Sequence, residues 1–522
     1  MAQWRRDTQV YRSGQDTTTF EVAMRSDRYG NIIDTGATSE SAFDEPIAVP
    51  VTPVIQADAL YGLPSRKFET YNAIGGSATT TETLFQCSTG TSQYGYGVIR
   101  SRQVVRYRPG QGALARFTAA FTTGVSGYTQ RAGFFAQEQA IQIGYNGEDF
   151  GILIENGGKT HIENFAVTTL DAGDVTVTLN SVAYAAVTVS GGDLGTRIAS
   201  LAAGLEAIGA FDGAWIVEFD STSIRFLAKS VGAKGGTYSM SSTATISVTN
   251  TTQQTGVAHT STWTAQSSFS EDKLDGTGYS GMTIDPTKLN VYQINFRWLG
   301  AGEIKFAIEN SEDGNMIIFH KKKFANLNSD VSVDNPSLKI GYVTASLGGS
   351  GSNIVVTGAS MMGAIEGLIS PSSMPVSASN TRTSGMTSTS SEHVLLAVRN
   401  NVINNSKINT REVLLRTISA AASTAGGQPV TVTLWFNAPT AETLAWTNNG
   451  SDFSTSYSST ATTVTTTGQT PVYKFLIAND GHGNIDVEKL RVIIPPNNYM
   501  VISINGSSTI SRATAALTWI ED

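Results

Sequence analysis

Flat aromatic side chains next to turn-forming residues are the first groups in this chain with a recognisable chemistry. Trp435, Trp446, Tyr457, Tyr94 and Tyr96 each offer an apolar ring with a polar handle, the kind of surface on which the C–H face of a sugar stacks. Trp298 and Trp519 fall within strand patterns, which assigns them to the core. Sugar hydrolysis would need a second feature, two carboxylates roughly 5 to 10 Å apart. The acidic pairs Glu148-Asp149, Glu271-Asp272 and Glu312-Asp313 do not supply it, because adjacent residues on a strand point to opposite faces. Asp313-Gly314 reads as a hairpin turn between Ile308 and Met316. Asp275-Gly276-Thr277-Gly278 offers loop oxygens to Ca2+ but lacks the alternating Asp and Asn ligands of a strong calcium loop.

Other catalytic patterns are missing. His161, His259, His320, His393 and His482 are far apart in sequence, with no H-E-x-x-H, no paired cysteine ligands and no nucleophile elbow between a strand and a helix. His482, between Gly481 and Gly483, reads as a loop histidine. Gly300-Ala301-Gly302 has no helix after it, so it reads as a turn and not as a phosphate loop. The expectation is a protein that is not an enzyme and has no catalytic, cofactor or metal residues.

Composition narrows the partners. Charged residues make up 15% of the 522 residues and the formal net charge is −8. Backbone binding to nucleic acid needs clustered Lys and Arg. Arg5-Arg6, Arg102 to Arg108 and Lys321-Lys322-Lys323 are the locally basic stretches, and each reads as a solvated strand end. Cys87 is the single cysteine, so no intrachain disulfide forms, which fits assembly in a reducing cytoplasm. Met1 to Arg6 lack an apolar segment behind them, and no run reaches the roughly 18 apolar residues of a membrane span.

The elements that must position these residues are mainly strands, as 51 glycines and abundant Thr, Ser and Val imply. Residues 1–64 read as an N-terminal arm or docking segment, with a strand-like piece at Thr19 to Met24. Residues 65–165 alternate, with Phe117 and Phe121 on one face. Tyr292, Ile294, Phe296 and Trp298 continue that style over 266–368, so both stretches form one β-sandwich. Residues 166–265 interrupt it with an α+β module, whose strands flank Asn180-Ser181 and whose helix carries Ile198, Leu201, Leu205 and Ile208 with Thr196 near its start as a cap. A Ser/Thr-rich linker at 369–391 leads to a last sandwich at 392–522. There Val430, Val432, Leu434 and Phe436 share a face, and Pro495-Pro496-Asn497-Asn498 makes a hard turn.

The phrase KLNVYQINFRWLGAGEIKFAIEN, with Asp334-Asn335-Pro336-Ser337-Leu338 and Val356-Thr357-Gly358-Ala359-Ser360, resembles a concanavalin-like sandwich of structural proteins in tailed phages and some large DNA viruses. The opening MAQWRRDTQVY resembles virion proteins of marine and freshwater phages, and Val394 through Trp519 resembles their jelly-roll-like C-terminal sandwich. The module, with VTVTLNSVAYAAVTV and later Gly235-Gly236-Thr237-Tyr238, resembles a unit scattered through phage tail proteins. The resemblance implies an all-β, multi-domain structural component of a virion, at the tail, baseplate or head surface. It would be assembled in the host cytoplasm, act through interfaces with other virion proteins and form a homo-oligomer, with a trimer favoured. The alternative reading is a receptor-binding adhesin for host surface glycan, with Trp435, Trp446 and Tyr457 as contacts. A polysaccharide depolymerase ranks third.

Overall fold

The computed structural model describes residues 51–327, 329–367, 375–387, 390–450 and 452–521. Most of the expected N-terminal arm, including Thr19 to Met24, lies outside them. The regular structure of the described residues is mostly strand, with one helix longer than four residues at Leu194–Glu206. None of its helices is long and apolar enough to cross a membrane.

The concanavalin-like architecture is present as two antiparallel sheets packed face to face. Among the described residues the back sheet has nine strands, and its central run joins Met316–Lys322, Ile304–Glu309, Asn290–Phe296 and Ala113–Phe121. The front sheet has seven, in the order Thr260–Ala265, Asp149–Asn156, Ala140–Asn146, Tyr128–Phe135, Lys339–Ser346, Tyr96–Ser101 and Phe68–Ala73. Alternation explains the pairing. Phe117, Phe121, Tyr292, Ile294 and Phe296 from the back sheet meet Ile99, Phe134, Ile143, Ile340 and Tyr342 from the front sheet in one core. Tyr292 and Phe117 lie opposite each other in register and stack with ring centroids 5.8 Å apart. Trp298 is half-buried and donates its indole N–H to the Val333 carbonyl at 2.7 Å.

The segment boundaries differ from the sequence reading at three places. Val51–Asp58 pairs with Ser360–Glu366 and so belongs to the sandwich instead of an arm. The module begins at Thr160 and its sheet ends at Gln254, while Thr260–Ala265 returns to the front sheet. Within 369–391, Pro375–Arg382 is a strand paired with Ala513 to Ile520 of the last sandwich. Thr260–Ala265 and Pro375–Arg382 are Thr- or Ser-rich edge strands, which resemble linkers when only one face is buried, and Val51–Asp58 is an edge strand with Pro53 inside it.

In the module, the helix Leu194–Glu206 buries Ile198, Leu201 and Leu205 against Val175, Val177, Leu179, Phe211 and Phe226. Its cap is Asp193 and not Thr196, because the Thr196 N–H is an orphan donor of the first turn and bonds the Asp193 carboxylate at 2.8 Å. Ile208 falls beyond the helix, at the start of a short second one.

The last domain is a second sandwich, a five-stranded and a seven-stranded sheet around Leu415, Ile418, Leu434, Ile502 and Trp519. Its strand Glu392–Asn400 is buried along nearly its whole length. Leu396 and Val398 face the sandwich core, whereas Val394 and Ala397 belong to the module's core. The module is therefore more than a loop insertion, since its hydrophobic core continues onto the outer face of the C-terminal sandwich.

Candidate functional site

That packing decides the fate of the expected sugar contacts. Trp435 is 3% exposed and Trp446 5%, both inside the core shared by module and C-terminal sandwich. The Trp435 indole N–H bonds Ser503 Oγ at 2.8 Å. The Trp446 ring carries the Arg399 guanidinium 4.6 Å from its centroid and meets Tyr499 edge-on. Tyr457 is half-buried against the second sandwich's core. The structure thus gathers no glycan surface from Trp435, Trp446 and Tyr457; an indole covered by protein and one offered to a ligand have the same sequence neighbours. Tyr94 stands exposed on a loop, and Tyr96 lines a cavity.

The cavity is a cleft of ≈ 540 Å³ between the outward face of the front sheet and the module. Ligand pockets generally run about 300–1,000 Å³. Strand geometry builds its floor. Ile99 points into the sandwich core, so Val98 and Arg100 on either side point outward, together with Tyr96. Tyr71 sits opposite Val98 in register and joins them, and Phe135 and Gln137 extend the floor. The module supplies the wall through Leu179, Asn180, Val182, Tyr184, the segment Gly213 to Ile216, Lys229, Ser230 and Lys234.

The rim is held by local geometry. Asn180 and Ser181 both have positive φ, 51° and 65°, which gives the turn that closes the hairpin between Gly173–Leu179 and Val182–Ala183. Asn180 Oδ1 then accepts from the Gly236 N–H at 3.1 Å and Ser181 Oγ from the Thr237 N–H at 3.0 Å. A Cβ on Gly236 would lie 2.4 Å from the Asn180 carbonyl carbon, so glycine is what lets the two loops meet. The Tyr238 hydroxyl donates to the Lys234 carbonyl at 2.7 Å, fixing the segment that brings Lys234 to the cleft. Behind it, the Tyr238 ring stacks on His161 at 4.9 Å, and His161 Nε2 lies 3.2 Å from Glu163 Oε2. Burial draws the His161 imidazole below its ordinary pKa against the pull of Glu163.

Charge beside the floor is organised around one carboxylate. Glu69 stands opposite Arg100 in register and pairs with both its guanidinium and Lys339 Nζ, the latter at 2.7 Å. Burial alone would raise the Glu69 pKa, but Lys339 and Arg100 together outweigh it and hold it down to about 2. Arg100 also lies 5.0 Å from the Tyr71 ring centroid. On the wall, Lys229 Nζ pairs with the Asp212 carboxylate at 3.0 Å, while Lys234 Nζ bonds Ser230 Oγ at 3.1 Å.

Among the described residues no Asp or Glu lines the cleft. The acidic pairs singled out in the sequence lie elsewhere: Glu148-Asp149 and Glu312-Asp313 are exposed at hairpins, and Asp272 is buried. Gly314 has φ 73°, in keeping with the turn expected there. In the candidate calcium loop, Asp275 Oδ1 accepts from the Thr277 N–H and hydroxyl at 2.9 and 2.5 Å, an Asx turn. Among the described residues no group of three or more His, Cys, Asp or Glu comes together in a way that could hold a metal ion. His482 lies exposed on the strand Gly481–Asp486 and not in a loop.

No family model matches the chain, and no curated protein matches it. Among solved structures it is similar to a legume lectin-like domain from Entamoeba histolytica, at 8% identity and TM-score 0.22 over 57% of this chain and 89% of that one. Lectin II from Ulex europaeus is similar at 7% identity and TM-score 0.23, over 61% and 100% of the two chains. The metal-free carbohydrate recognition domain of Emp46p is similar at 8% and 0.23, over 60% and 100%. None of these structures supports the virion setting expected from the sequence.

Proposed function

We propose that this chain is a non-catalytic glycan-binding protein whose binding site is the cleft between the front sheet and the inserted module. The observation that carries the reading is the chemistry of the lining. Half-buried Tyr71 and Tyr96 offer ring surface, with Tyr184 and Trp215 buried behind the wall. Gln137, Asn180 and Ser230 add amide and hydroxyl partners suited to sugar hydroxyls. Among the described residues the lining carries no carboxylate pair of the kind a glycoside hydrolase needs, which supports a site that holds a sugar over one that cuts it. This reading moves the adhesin function from Trp435, Trp446 and Tyr457 to Tyr96 and its neighbours.

The test is titration calorimetry of the full chain with bacterial polysaccharide fragments, alongside Tyr96→Ala. Tyr96 is half-buried on the floor, and its loss should weaken binding about tenfold, ~1.4 kcal/mol, with the melting profile unchanged. Undiminished affinity in that variant would move the site elsewhere. The virion setting, with assembly in the host cytoplasm, other virion proteins as neighbours and a trimeric state, is proposed on the sequence resemblance alone. Copy number in purified particles tests it, and absence of the chain from particles would end it.

A further inference from the structure

We infer that the cleft selects anionic sugar chains, specifically those carrying hexuronate carboxylates; this rests on the glycan reading and names its ligand class. Arg100, Lys229 and Lys234 all line the cleft, and among the described residues no lining residue is acidic. The whole chain carries a formal net charge of −8, so the concentration of cations here runs against its overall balance.

Partner counting sharpens this. On the floor, Arg100 and Lys339 share the single carboxylate of Glu69, which leaves a surplus of one positive charge. On the wall, Lys229 is paired with Asp212, whose side chain is 64% exposed, so that pair is easily loosened by a competing anion. Lys234 has the Ser230 hydroxyl as its hydrogen-bond partner and belongs to no ion pair among the described residues. A guanidinium on the floor and ammonium groups on the wall thus border the same cavity. A carboxylate on the sugar ring can bond to both sides while Tyr96 takes the ring's apolar face. A neutral sugar would leave the cations with water, so selectivity for the acid follows from the unmatched charge.

The experiment compares polygalacturonate, alginate and hyaluronate fragments with the same fragments after reduction of their carboxylates to primary alcohols, which keeps the ring and removes the charge. Titrations of the full chain at low and high salt, together with the double variant Lys229→Gln and Lys234→Gln, give the readout. The expected result is at least one acidic fragment bound ten times or more tighter than its reduced form. That preference should be lost in the double variant and weakened by salt. Equal binding of acidic and reduced fragments would overturn the anionic selectivity and leave the glycan reading standing. Binding of neither, with no neutral polysaccharide bound, would overturn both. Equal affinity for single-stranded DNA of matched charge would overturn the uronate assignment and show a general polyanion groove.

Discussion

Replacing Glu69 by glutamine is expected to cost about 3–5 kcal/mol of stability, because it leaves two cations side by side at the edge of the cleft without their shared anion. Arg100 and Lys339 side chains are 15% and 16% exposed, and Glu69 is 14% exposed, so solvent replaces little of the lost pairing. Burial already draws the Lys339 ammonium below its ordinary pKa, against the pull of Glu69. Without Glu69 that group is expected to hold its proton less tightly still, or the sheet edge at Phe68–Ala73 to open. Urea denaturation followed by tryptophan fluorescence should show the transition at clearly lower denaturant. A loss below ~1 kcal/mol would show that the pair is solvated in solution as surface pairs are.

The same group fixes a pH dependence. The folded pKa of Glu69 lies below its ordinary 4.5, at about 2, so its contribution is fully present above pH 4.5 and is lost as pH falls toward 2. The difference in unfolding free energy between the native chain and Glu69→Gln should therefore be constant near neutrality and shrink below pH 4.5. A difference that grows on acidification would contradict the assigned sign.

Glu69 also illustrates what a single sequence can and cannot disclose. Phe117 with Phe121, and Tyr292 with Ile294 and Phe296, were legible because each strand buries one face and leaves a period of two. The Asp313-Gly314 turn was legible because its geometry needs particular residues within a few positions. Glu69, Arg100 and Lys339 lie 31 and 270 positions apart along the chain, and nothing local marks them as one cluster. The cleft is similar, since its floor comes from Tyr71 to Gln137 and its wall from Leu179 to Lys234, segments that belong to different bodies. One signal was present and undervalued. The run Val394-Leu395-Leu396-Ala397-Val398 does not alternate, which is the mark of a strand covered on both faces. Taken literally, it places a second layer over the C-terminal sheet and buries Trp435 beside it.

That covering layer leads to the other large effect. Glu218 is 2% exposed at the seam between module and C-terminal sandwich. Its Oε2 accepts from the Val402 and Ile403 backbone N–H groups at 2.6 and 3.1 Å, and its Oε1 lies 3.1 Å from Arg225. Arg399 lies at the same seam, donating to the Phe219 carbonyl at 2.9 Å between the Phe219 and Trp446 rings. Burial lowers the Arg399 pKa to about 10, against the pull of Glu218, so the guanidinium stays charged at neutral pH. Glu218→Ala would strand two buried backbone donors and leave Arg225 with only the Asp220 carboxylate, 3.4 Å away, among its ion pairs in the described residues, at a cost of about 3–5 kcal/mol. Both sandwiches keep their own cores in this variant, so the expected outcome is detachment and not global unfolding. Hydrogen exchange should rise at Val402, Ile403 and the strand Trp215–Phe219 while the strand Asn290–Phe296 stays protected. Because Trp215 and Ile216 also line the cleft, glycan affinity should fall in parallel, although Glu218 itself is not among the lining residues. Glu218→Gln, which keeps an acceptor for the two N–H groups, should recover part of both. If exchange rises at the seam but affinity holds, the cleft keeps its shape without the C-terminal sandwich, and the front sheet and module suffice to build it.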